Sequence, residues 1–216
     1  MILAAERMIA VHGVGGVSLR QINEAAGHKN SAATHYHFGS RHGLIQAVLA
    51  YRMTAIEARR TAIVETLNDR PSGPDTRDLV SALAHPLVEE LKPRAEGNYF
   101  LRFSERVLRE RDRFDFEADF PMNSWCHTRH QMRRRLQHLP EKLAAMRVQM
   151  AWDQIISGLA GVEAKLEDGS WGMDTLLATE TLIDFVTAGL EGKVALPILA
   201  AFAEQNGDTE CPPTSS

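Results

Sequence analysis

Apolar positions recur at three- and four-residue spacing along nearly the whole chain, and almost no stretch alternates with a period of two, so the sequence reads as all-α. Met1, Ala5, Met8 and Ile9 share one side of an opening helix that ends at His12-Gly13. Ser18 and Gln21 have the spacing of a capping box, and Val17 and Ile22 that of a hydrophobic staple, so entry into a second short helix is fixed locally. Gly27, just past the end of that helix, takes the left-handed conformation without steric cost, and Asn30 can cap the next helix. Two short helices joined by a tight turn make a helix-turn-helix. Ser40 then caps a helix running to about Leu67, which Asn68-Asp-Arg-Pro-Ser-Gly-Pro74 breaks. Further helices are expected at about 76–91, 98–111, 121–138, 140–167 and 174–191, with a short one near 195–205. Pro86 should bend or interrupt the first of these, because it lacks the amide donor and crowds the preceding turn.

In the second motif helix, Thr34 and Phe38 point the same way and can pack on Ile22, Ala25 and Ala26. Ser31, Ala32, Ala33, His35, Tyr36 and His37 are then left toward solvent or the edge of that contact. Small residues early and hydroxyl or imidazole donors later suit a helix lowered into a DNA major groove. Lys29, His35, Tyr36, His37 and Arg41 are placed as phosphate contacts, and Ser18, Arg20 and Asn30 complete the candidate set. The same shape also serves purely structural ends. Charge favours DNA: residues 1–60 hold seven Lys and Arg against three acids and five of the nine histidines, a net +4, whereas the remaining residues carry −8.

Length and composition fit this picture. The 216 residues, 44% hydrophobic, can bury the core of one or two domains. There is no run of eighteen apolar residues and no signal-peptide order at the N-terminus, so the expectation is a cytoplasmic protein without a membrane partner. Cys126 and Cys211 suggest neither a disulfide framework nor a cysteine metal site. Glycine-rich phosphate loops, serine elbows and catalytic cysteine contexts are missing, and no cofactor is expected.

Ala26-Gly27, His35-Tyr36-His37-Phe38-Gly39-Ser40-Arg41 and Gly43-Leu44, with the helix before them and the long helix after, resemble the signature of TetR-type (tetracycline-repressor-like) transcriptional regulators over about the first fifty residues. The chain departs from the usual pattern by one extra residue between Gly27 and Phe38, and its apolar pattern begins at Met1 without the short basic arm common in that family. Residues 206–216, polar and with nothing to bury, read as a disordered tail; the resemblance implies a helix-turn-helix DNA-binding domain over 1–46 and a helical ligand-binding and dimerisation domain over 47–205. It also implies a homodimer through a four-helix bundle of the last two long helices, on a palindromic double-stranded operator whose half-sites lie about 34 Å or more apart.

The pattern of those two helices agrees. Leu143, Met146, Met150, Ile156, Leu159, Val162 and Leu166 recur on one broad side of the first, where Gly158-Leu-Ala-Gly161 offers a flat patch. In the second, Leu176, Leu177, Leu182, Ile183, Phe185, Val186 and Leu190 are apolar around more than one face, a width that calls for partners on two sides. The resemblance further implies a pocket among the middle helices whose small-molecule effector shifts the separation of the two heads. Candidates for its wall are Tyr99, Phe100, Phe103, Met122, Trp125, Met146, Met150 and Trp152, with His127, His130 or Asp153 as polar anchors, and the expected effector is apolar and partly aromatic. Aromatics and methionines at such spacing also serve as plain core. The competing reading is a metal-binding helical-bundle enzyme using His127 and His130, three apart on one helix. It is weakened by the absence of any Glu-x-x-His and by Arg129, Arg133, Arg134 and Arg135 nearby, so the chain is read as a regulator, not an enzyme.

Overall fold

The computed structural model describes residues 1–27, 38–95, 97–110 and 123–207. Among these are nine α-helices and no strand. The helices are α1 (Ile2–His12), α2 (Leu19–Ala25), α3 (Arg41–Asn68), α4 (Thr76–Val88), α5 (Phe100–Leu108), α6 (Asn123–Arg135), α7 (Glu141–Glu167), α8 (Thr175–Glu191) and α9 (Leu196–Gly207). The boundaries lie within a few residues of those the apolar periodicity predicts. Pro86 does not break α4, which runs two residues beyond it before tightening into a 3-10 turn, Glu89–Leu91.

The N-terminal head is built around Ala5, Ile9 and Ala10 of α1, Ile22 of α2 and Leu44, Ile45, Val48 and Leu49 of α3, with Val14 and Val17 from the connection, all buried. This core runs without a gap into that of the body. The junction is made chiefly by α1 lying against α5, while α3 continues from the head to pack on α4 and α6. In the body α5 lies along α7, and α8 covers α4 and α7 with one side only. No single helix among the described residues is long and apolar enough to cross a membrane; α8 and α9 reach that apolar content only together, across a 60° bend.

Candidate nucleic-acid interface

Local chemistry shapes the helix-turn-helix as its sequence requires. Ser18 Oγ accepts from the Gln21 amide at 3.2 Å, and Gln21 Oε1 accepts from the Ser18 amide at 2.8 Å, closing the capping box. Val17 and Ile22 are both buried. Gly27 has φ 73°, in the left-handed region that glycine enters freely. Ahead of α3, Phe38 packs against the core and Ser40 Oγ accepts from the Gly43 amide at 3.1 Å, capping the helix.

Three of the predicted DNA-contacting residues belong to these flanks. Ser18 is exposed but committed to its capping box, and Arg20 projects from α2 into solvent, its Nε donating to Glu24 at 2.9 Å. Arg41 opens α3 partly exposed. Lys29, Asn30, Ser31, Ala32, Ala33, His35, Tyr36 and His37 lie outside the described residues, as do Met122 of the pocket set, Cys211 and the tail from 208 onward.

Charge is where the structure corrects the simple count. Of the seven basic residues in 1–60, Arg52 and Arg60 are 5% and 0% exposed, and Arg59 is two-thirds buried. Arg52 forks onto Glu6, Nε to Oε2 at 2.8 Å and Nη2 to Oε1 at 2.9 Å, and also approaches Glu90 at 3.5 Å. Glu90, itself buried, receives Arg59 and Arg94 as well, each at 2.7 Å. Arg52 and Arg59 thereby clasp the head to the 3-10 turn of the body, their charge largely met by Glu6 and Glu90. Burial holds the Glu6 carboxyl above its ordinary range, with Arg52 pulling it back and Glu90 adding to the rise. Beside this clasp Arg7 and Arg102 stack on the Tyr99 ring at 5.6 and 5.0 Å, and the Tyr99 hydroxyl donates to Glu167 at 2.7 Å. The clasp carried no local sequence signal, since its partners are 46 and 38 residues apart.

The pocket candidates separate into two groups. Phe100, Phe103, Trp125 and Trp152 are buried with Tyr99; Phe100 and Phe103 stack at 6.3 Å, and Trp125 meets Trp152 edge-on at 5.9 Å. Met150 and Met146 are not in that interior but exposed on α7, Met150 by 60%, because no described helix covers their side of it. His127 and His130 are exposed on α6, and Asp153 is half-buried, accepting from Gln149. Among the described residues no three His, Cys, Asp or Glu side chains gather as a metal site needs.

Two helix starts in the body are capped by carboxylates from other helices. Glu163 of α7, buried, accepts the Leu101 and Arg102 amides at 3.0 Å and Arg102 Nε at 3.1 Å. Burial pushes its carboxyl upward, against those bonds. Glu57 of α3 accepts with Oε1 from Ser124 N at 2.7 Å, Ser124 Oγ at 2.5 Å and Trp125 N at 3.3 Å, and with Oε2 from Arg60 Nη1 at 2.6 Å.

No family model matches the chain, nor does any curated protein. Among solved structures, a TetR variant from Acinetobacter baumannii AYE, in complex with minocycline, is similar over 88% of this chain and 93% of its own, with 17% identity and a TM-score of 0.50. A putative TetR-family transcriptional regulator from Mesorhizobium loti is similar over 88% and 92% of the two chains, with 13% identity and a TM-score of 0.45. One from Rhodococcus sp. gives 18%, over 88% and 96%, at 0.43. The chain thus has a TetR-like all-α fold.

Proposed function

We propose that the chain is a DNA-binding transcriptional regulator, not an enzyme: a cytoplasmic, ligand-responsive homodimer that represses by covering a palindromic operator. Residues 1–46 would read DNA, and residues 47–205 would bind the effector and dimerise. The observation that carries the reading is the framed motif itself. A capping box at Ser18, a left-handed Gly27 and a capped α3 bracket the segment expected to hold the turn and the recognition helix that Asn30 caps, on a body of TetR-like fold. For the dimer, support comes from large apolar side chains that stand exposed on these two helices among the described residues: Met146 and Met150 of α7, and Leu176, Leu177 and Phe185 of α8. A two-fold pairing of α7 and α8 would cover them and repeat the head across the axis.

Gel-shift titration on operator fragments selected from genomic DNA tests the reading. Tyr36→Ala should weaken binding about equally on specific and scrambled duplexes, as loss of a phosphate contact does, whereas enlarging Ala32 or Ala33 should change which sequence is preferred. Unchanged affinity in all three variants, or no selected fragment, rejects it.

A further inference from the structure

We infer that Arg60 is a carboxylate-binding fork in the interior between α3 and α6, so that the effector of the regulator carries a carboxylate on an apolar body. The inference rests on the reading of residues 47–205 as an effector domain and names the ligand's chemistry. Arg60 is fully buried, and of its guanidinium nitrogens only Nη1 has a partner among the described residues, Glu57. Nε and Nη2 have none. A guanidinium stays charged and is planar with five donors, so an unmet edge in the interior is costly.

The same helix shows what that edge is for. Two turns earlier Arg52 uses its Nε and Nη2 to hold both oxygens of Glu6, a side-on bidentate pair. Arg60 presents the identical pair of nitrogens. Glu57 cannot serve them, because its Oε2 is taken by Nη1 and its Oε1 is committed to the start of α6. The buried Trp125 Nε1 likewise lacks a partner among the described residues, and the Trp125 amide donates to the same Glu57 carboxylate that holds Arg60 Nη1. The Trp125 ring, edge-on to Trp152 and with the Arg129 guanidinium 4.3 Å over its centre, brings aromatic surface to the same helix start. The sequence-level expectation of an apolar, partly aromatic effector thus acquires a charged head.

Thermal-shift and tryptophan-fluorescence titrations of the full chain, without DNA, would use benzoate, phenylacetate and hexanoate, each against its primary amide. Acids should bind saturably, about 10- to 100-fold more tightly than the amides, the usual range for hydrogen bonds to a charged group. Arg60→Met strands Glu57 and can unfold the chain, so the second variant is Arg60→Lys, which keeps a cation for Glu57 and removes the fork. It should stay folded by circular dichroism and lose the preference for acids. The proposal is overturned if no acid binds, if acids and amides bind alike, or if Arg60→Lys keeps the preference. Acid binding intact in a chain that ignores DNA would instead sink the regulator reading.

Discussion

Gly43 sits in the first turn of α3 with the Phe38 carbonyl lying well inside contact distance of where its β-carbon would be. Backbone, not a yielding side chain, is in the way. Gly43→Ala should therefore lower stability by about 1–3 kcal/mol, the usual penalty of overfilling a packed site, seen as an earlier urea midpoint with an unchanged slope. Gly27 and Ser18 could be read directly, because each acts within three residues of itself. Arg52, Arg59 and Arg60 could not. Sequence spacing places 52 and 59 on one side of α3 and 60 a hundred degrees around, but whether a long cation meets water or a carboxylate depends on residues such as Glu6 and Glu90, distant in the chain. A count of charges assigned to the head what belongs to its fastening.

Among elements, α8 best repays comparison with its sequence. Its apolar residues were legible as two-sided, and they divide accordingly: Ile183, Val186 and Leu190 face α4 and α7, while Leu176, Leu177 and Phe185 face out. Leu182 also packs inward, one of its methyl carbons 2.8 Å from where a Gly158 β-carbon would stand, so Gly158 serves contact within the protomer and only Gly161 of that patch stays open. Phe185, 66% exposed, contributes little to the protomer's own core. Phe185→Asp should accordingly shift protomer stability by less than about 0.5 kcal/mol while converting the proposed dimer to monomer, measured by sedimentation velocity; a wild-type chain that is already monomeric refutes the bundle. Helices α5 and α6 teach the converse. Their positions followed from periodicity, but the groups that cap them, Glu163 and Glu57, come from α7 and α3 and had no local signature.

For the whole molecule the decisive contact is the clasp between head and body. Arg52→Met leaves Glu6 buried without its guanidinium, a loss of roughly 3–5 kcal/mol at neutral pH. Since burial raises the Glu6 carboxyl above its ordinary value of 4.5, the native state holds that proton more tightly than the unfolded chain. Its stabilising effect is complete below 4.5 and fades as pH climbs through the raised value, which removal of Arg52 moves higher still. The variant should thus recover part of its deficit on acidification from pH 7 to pH 5, and Glu6→Leu with Arg52→Met should recover most of it at both. Melting temperatures of the three proteins across that range check the sign; a deficit that deepens at pH 5 contradicts it.

Both guanidiniums, that of the clasp at Arg52 and that of the proposed fork at Arg60, are borne by one unbroken rod, eight residues and so about 12 Å apart along its axis. A stiff shaft has no slack between two such handles. Anything that turns or slides it at the deeper handle must shift the upper one too, and with it the angle at which the N-terminal helices are presented.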